Sequence, residues 1–125
     1  MTENKISSKI IGAAIEVHKI LGPGLLESSY ETCLVYELNL QGLEVKSQVA
    51  LPVIYKEAKL EAGYRIDIMV ENRVIIELKA VSNLEAIHTA QILTYLKLTN
   101  LKLGLIINFN SVKVIDGLRR VVNQL

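Results

Sequence analysis

Residues 74–80 read VIIELKA. Val74, Ile75 and Ile76 have the composition of a buried strand, yet the run leads at once into Glu77, Leu78 and Lys79. Side chains alternate faces along a strand, so Glu77 and Lys79 share one face while Ile76 and Leu78 take the other. An unpaired charge in an apolar interior is costly, and a paired one must still recover its lost hydration. The charged face therefore needs company, and the preceding segment supplies it. Residues 61–70, EAGYRIDIMV, also alternate, with Ile66, Ile68 and Val70 against Arg65, Asp67 and Met69.

The polar triplet Glu71-Asn72-Arg73 between these segments reads as a turn, and its length sets the register of the hairpin. A two-residue turn would place Asp67 opposite Ile76. A three-residue loop pairs Val70 with Val74, and so Asp67 with Glu77 and Arg65 with Lys79. Cβ atoms of such cross-strand neighbours lie about 4.5–5.5 Å apart. Only the second register collects Arg65, Asp67, Glu77 and Lys79 on one face and leaves Ile66, Ile68, Ile76 and Leu78 for a core. It is the expected one.

At 125 residues the chain is read as one domain, 1–125, large enough to bury about two-thirds of its unfolded surface. Half the residues are hydrophobic but only 5% aromatic, which predicts an aliphatic core. The formal charge of +1 supplies no argument for or against nucleic acid. A single cysteine, Cys33, excludes an internal disulfide or a Cys-rich metal cluster, and its apolar neighbours make it a small core residue. The start, MTENKISSK, is polar with no signal core, and no run reaches the ~18 apolar residues of a membrane span. A soluble cytoplasmic protein is expected.

Ile6, Ile10, Ala13, Ala14, Val17 and Leu21 recur at helical spacing, predicting a helix over about 5–20 that Gly22-Pro23-Gly24 ends. A second helix is expected over 26–40, with Tyr30, Cys33, Leu34 and Leu38 inward and Gly42 closing it. Residues 45–55 look extended, with Pro52 at an edge or bulge. A third helix is predicted over 84–98 from a Ser82/Asn83 cap, then a doubly buried strand over 103–109. Residues 112–115 read as a last short strand and GLRRVVNQL as a helical turn or two. His18 reads as a surface or boundary residue of the first helix. The order α-α-β-β-β-α-β implies a mixed sheet with helices against it.

Two adjacent carboxylates repel, so Asp67 and Glu77 call for a cation between them. Oxygen donors without Cys or clustered His suit Mg²⁺ or Mn²⁺ rather than zinc. A lysine on the same face is equipped to orient a metal-bound water, and metal, water and positive charge together suit phosphodiester hydrolysis. Ordinary cross-strand salt bridges among Arg65, Asp67, Glu77 and Lys79 are the competing account. On the third helix, His88, Gln91 and Tyr95 form one stripe with Leu84, directly after the acidic hairpin.

Asp67, then nine intervening residues, then Glu77-Leu78-Lys79 resembles the D-x(n)-E-x-K core of the PD-(D/E)XK nuclease superfamily. Gln91 to Tyr95, QILTY, is similar to the Q-x3-Y motif of its RecB-like branch. Gly24 to Tyr30, GLLESSY, resembles the G-x-x-E-x-x-Y signature of the GxxExxY family within that superfamily. The resemblance spans nearly the whole chain. It implies an α/β fold with a restriction-endonuclease-like core, a central mixed β-sheet flanked by α-helices. It implies a nuclease, a Mg²⁺- or Mn²⁺-dependent hydrolase acting on nucleic acid, with DNA the expected substrate. Asp67 and Glu77 would be metal ligands, with the Leu78 backbone carbonyl and Glu27 as further ones, and Lys79 would orient the water. Gln91 and Tyr95 would support the site or touch nucleic acid, with His88 and Arg65 on the same polar face and the Tyr30 hydroxyl near it. Ile66 stands where the superfamily name has proline. A non-catalytic nucleic-acid-binding or assembly module with the same fold is the alternative. By analogy with other minimal nuclease folds, a homodimer or a place in a larger assembly is the expected organisation.

Overall fold

The computed structural model describes residues 1–61 and 63–125; Ala62, inside the expected 61–70 segment, lies outside the described residues. Two helices come first, α1 (Glu3–Leu21) and α2 (Glu27–Leu40). Strands β1 (Val45–Ala50), β2 (Ile54–Tyr55), β3 (Ala58–Lys59), β4 (Arg65–Val70) and β5 (Val74–Lys79) follow. Helix α3 (Ala86–Thr99) crosses to β6 (Leu103–Asn108), and a 3-10 turn (Val114–Gly117) leads into β7 (Leu118–Val122). The main sheet has the order β1-β4-β5-β6-β7, while β2 and β3 make a separate two-stranded ribbon. Among the described residues β5 and β6 form the one parallel pair, joined through a helix as parallel neighbours require.

The sheet separates two cores. Ile6, Ile10, Ala13, Tyr30, Leu34 and Leu38 of α1 and α2 cluster with Ile68, Ile76, Leu78, Leu105 and Ile107 on one face. On the other, Ile92, Tyr95 and Leu96 of α3 cluster with Ile66, Ile75, Ile106 and Val121. Strand β6 is buried at every position because helices cover both of its faces. Gly104 lets α3 approach it: a Cβ there would stand 2.7 Å from Ile92 Cδ1 and 3.0 Å from Ile92 Cγ1.

The β4–β5 connection joins both turn lengths considered from sequence. Glu71 and Asn72 have φ of 54° and 52°, and Arg73 N donates to Val70 O at 3.0 Å, the pattern of a tight hairpin turn with two left-handed residues. Arg73 then adds one residue before the ladder, so Val70 pairs with Val74 and Ile68 with Ile76, the three-residue register. Glu71 also exchanges hydrogen bonds with the Glu44 backbone, its N donating to Glu44 O and its Oε2 accepting from Glu44 N, both at 2.8 Å.

Several expectations need correction. Ile66 clusters with Ile75 and Tyr95, across the sheet from Ile68, because the alternation of β4 breaks at Asp67. Residues 112–115 form no strand but lead into the 3-10 turn, and the tail beyond is not helical: 118–122 is an edge strand antiparallel to β6. Helix α3 begins two residues later than expected, with Glu85 rather than Ser82 or Asn83 at its N-cap. His18 is not a surface residue: it is buried, stacked on Phe109, with Nε2 2.8 Å from Ser111 O. Cys33 packs against the core but is half-buried at its edge rather than inside it. No helix among the described residues is long and apolar enough to cross a membrane.

Because Gly104 sets the distance between α3 and the sheet, Gly104→Val forces Ile92 out of its place. We expect a loss of about 1–3 kcal/mol of unfolding free energy, the usual cost of overpacking, measurable by urea titration with an unchanged m-value.

Candidate active site

Asp67 and Glu77 meet where the ladder between β4 and β5 stops. Beyond Ile68 and Ile76 the strands are held instead by side chains: Glu77 Oε2 accepts from Asp67 N at 3.2 Å, and Asp67 Oδ2 accepts from Leu78 N at 2.8 Å. Each carboxylate is thus pinned by the backbone of the opposite strand. On the other side of β4, pairing with β1 runs Ser47 to Ile68 and resumes at Val49 to Ile66. Gln48 therefore stands level with Asp67 without a ladder pair, and its φ of 52° is rare for a residue with a side chain inside a strand. The sheet is interrupted at one level across three strands, where Gln48, Asp67 and Glu77 lie in a row.

Helix α2 supplies further acid. Glu27 is its first residue, and Oε2 accepts from Ala80 N at 3.2 Å, directly after Lys79. One turn later, Glu31 Oε1 accepts from Gln48 Nε2 at 2.7 Å. A cavity of about 430 Å³ is lined by Glu27, Ser28, Glu31, Gln48, Asp67 and Leu78. Lys79 ends β5 half-buried, and its charge acts on Glu77.

The electrostatics follow from this crowding. Glu77 is 5% exposed, and burial, then its hydrogen bond and charge repulsion with Asp67, push its carboxyl up to about 9. Its bond to the Asp67 backbone and the Lys79 charge oppose the shift without cancelling it. Burial raises Glu31 as well, with the Asp67 charge adding and the Gln48 amide opposing. Tyr95 is raised by burial and then by Glu77, Asp67 and Tyr64, which puts the phenol within electrostatic reach of the acidic pair; the Gln91 amide opposes that shift.

Not every residue singled out in the sequence reaches this place. The Tyr30 hydroxyl is spent elsewhere, donating to Gly22 O at 2.6 Å and accepting from Leu25 N at 3.1 Å, while its ring stacks on Phe109 at 4.4 Å. Tyr30 thus clamps the Gly22–Leu25 loop rather than facing the acids. His88 Nδ1 accepts from Glu85 N at 2.9 Å in a capping box that starts α3. Arg65 is exposed and donates to Gln48 O at 3.4 Å, with its ladder partner Ala50 rather than Lys79. Conversely, Glu31 and Gln48 were not foreseen. Glu31 follows Glu27 by four residues on one helix face, a spacing visible in the sequence. Gln48 was hidden, because its position depends on the β1–β4 register.

The donor set is hard oxygen throughout, suited to Mg²⁺ or Mn²⁺. A cation would relieve the repulsion that lifts Glu77. As the chain stands, each carboxylate leans on a backbone N–H, and among the described residues no three His, Cys, Asp or Glu side chains converge as a ready metal cage.

A family model of the PD-(D/E)XK nuclease superfamily matches residues 4–121. The chain belongs to that superfamily. No curated protein and no solved structure matches it. The five-stranded mixed sheet flanked by helices accords with a restriction-endonuclease-like fold, and membership in the superfamily brings nuclease-type chemistry on nucleic acid as its class.

The raised Glu77 carboxyl gives a pH test. A carboxyl near 9 in the folded chain and near 4.5 when unfolded binds its proton more tightly in the folded state. Stability of metal-free protein should then be greatest below about pH 4.5 as far as Glu77 is concerned, and fall as pH rises from there towards about 9. Glu77→Gln, which mimics the protonated acid, should flatten that slope and raise Tm at pH 8; thermal unfolding in EDTA across the range checks both.

Proposed function

We propose that this chain is a divalent-metal-dependent nuclease that hydrolyses a phosphodiester, with DNA as substrate and Asp67, Glu77 and Lys79 as its working residues. The observation that carries the reading is the meeting of Asp67 and Glu77 at the broken seam between β4 and β5, with Lys79 two residues beyond on the face of Glu77. Asp67, Glu77, the Leu78 carbonyl and Glu27 would hold Mg²⁺ or Mn²⁺. The bound cation would supply Lewis-acid activation of water and charge stabilisation at phosphorus.

The chain's own groups do the rest. Lys79 positions the attacking water and balances the negative charge that develops as its oxygen bonds to phosphorus. The attacking water gives up one proton to solvent as its P–O bond forms, the ester P–O bond breaks, and the leaving oxygen takes a proton from solvent. Gln91 and Tyr95, on the α3 side of the same strands, hold the substrate strand against the seam. The Gln48 amide keeps Glu31 turned towards the cavity that Asp67 lines. The GxxExxY and RecB-like assignments fit this division of labour, with Glu27 at the seam and Tyr30 shaping the loop before it.

One observation favours the non-catalytic alternative. Asp67, Glu77 and Glu27 each already accept from a backbone N–H, and purely structural acids would do the same. Metal linkage separates the two accounts. On the nuclease reading, Mg²⁺ or Mn²⁺ raises the stability of wild type, by about 2.7 kcal/mol at a hundredfold excess over Kd, but not that of Asp67→Ala or Glu77→Ala. Lys79→Ala should keep the metal effect and lose cleavage of labelled single- or double-stranded DNA by about a hundredfold or more. No metal effect on wild type would leave the fold as a module without this chemistry, and undiminished cleavage by Lys79→Ala would assign the activity to a contaminant.

A further inference from the structure

Tyr95 has a second side. It packs in one cluster with Ile66, the neighbour of Asp67, and with Ile75, two residues before Glu77, while it also walls a separate cavity of about 280 Å³ between α3 and the segment before β4. The facing wall comes from the excursion between β1 and β4 that carries the β2–β3 ribbon. Tyr64, Leu60 and Val53 line it, and backbone bonds hold them: Leu60 N donates to Val53 O at 2.9 Å and Leu51 N to Tyr64 O at 2.8 Å. Gln91, Thr94 and Leu98 complete it from the helix. The Thr94 hydroxyl is used within α3, donating to Ala90 O at 3.0 Å, and the Gln91 amide meets the Tyr95 phenol, so among the described lining residues the Tyr64 phenol and the rest of the Gln91 amide can meet a ligand.

Three features define what fits. Tyr64, Leu60 and Leu98 are 43%, 42% and 46% exposed around one concavity, and a contiguous apolar patch of that kind marks a binding surface where scattered exposed residues would not. The volume lies just under the range of small-ligand sites, about 300–1,000 Å³, enough for one flat ring system and too little for a peptide helix. The lining pairs an accessible aromatic ring with an amide, the combination that stacks a base and bonds its edge.

We propose that this cavity receives one unpaired nucleobase of the strand whose phosphodiester lies at the Asp67–Glu77 seam, stacked on Tyr64 with its edge towards Gln91. The position of the pocket argues for that occupant, since Tyr95 is common to its wall and to the surroundings of the acidic pair. The inference rests on the nuclease reading for the nature of the ligand, and it narrows the substrate. A base inside a duplex would first have to leave its stack and its partner, so single strands or frayed ends are preferred over flush duplex.

The experiment measures binding apart from cleavage. Lys79→Ala of the 125-residue chain with Mn²⁺ is titrated with fluorescein-labelled oligo(dT), with the same oligonucleotide carrying one abasic site moved stepwise along it, and with flush duplex. An abasic site at one position should weaken binding about tenfold while its neighbours have little effect, and duplex should bind more weakly than oligo(dT). Adding Tyr64→Ala, a change at an exposed side chain, should weaken the intact oligonucleotide about tenfold and erase the positional effect, and Tyr64→Phe should restore both. Equal losses at every position, indifference to Tyr64→Ala, or no binding of any oligonucleotide would overturn the pocket. Wild type that cleaves without a positional effect would sink the pocket and leave the nuclease reading standing. A positional effect in a protein that never cleaves would do the reverse.

Discussion

The structure turns on a seam where a β-sheet stops being a sheet. Beyond Ile68 and Ile76, side-chain carboxylates take backbone N–H groups between β4 and β5, and on the next seam Gln48 leaves its ladder in a left-handed conformation. Buried N–H groups must find acceptors, and here Asp67 and Glu77 serve as those acceptors. The acids are thus structural and electrostatically crowded at once: they close the gap they occupy, in orientations set by main chain. The cost falls on Glu77, whose burial beside a second carboxylate lifts its carboxyl to about 9. Strain of this sort, in backbone at Gln48 and in charge at Glu77, persists only where the surroundings over-determine it, and it gathers at working sites.

Much of this was legible in the sequence because it obeys short periodicities. The alternation in 74–80 and the polar triplet 71–73 contain the register that brings Asp67 and Glu77 together, and apolar spacing marks α1 and α2 almost to their ends. What stayed hidden depends on long-range pairing or lacks turn signals. Strand β7 reads LRRVV, where two adjacent arginines spoil the alternation of an edge strand that only pairing with β6 makes visible. The β2–β3 ribbon turns at Lys56, with φ of 54°, where no Gly or Asn announces a left-handed residue. The reversal of faces at Asp67, which sends Ile66 to the opposite core, follows from the interruption itself, and no strict two-residue period could foresee it. Gln48 and Tyr64 owe their places to those unseen pairings, so the acidic hairpin was readable and its surroundings were not.

The apolar members of the sequence motifs explain how the charged ones are held. Tyr30 is fully buried, stacks on Phe109 and clamps Gly22 and Leu25. That clamp fixes where α2 begins, and Glu27 is its first residue. Phe109 sits just beyond β6 and donates its N–H to Lys79 O at 3.0 Å, tying the end of β5 to the end of β6. One aromatic stack therefore connects the start of α2 to the strand end that carries Lys79, and Glu27 completes the loop by accepting from Ala80 N. Glycine, glutamate and tyrosine in GLLESSY are thus parts of a single mechanical device. The glycine loop lets α2 start there, the tyrosine locks it to the sheet, and the glutamate arrives at the seam because the other two have fixed its position. A tyrosine whose hydroxyl bonds the Gly22–Leu25 loop can then be as necessary to the acids' geometry as the residues that touch them.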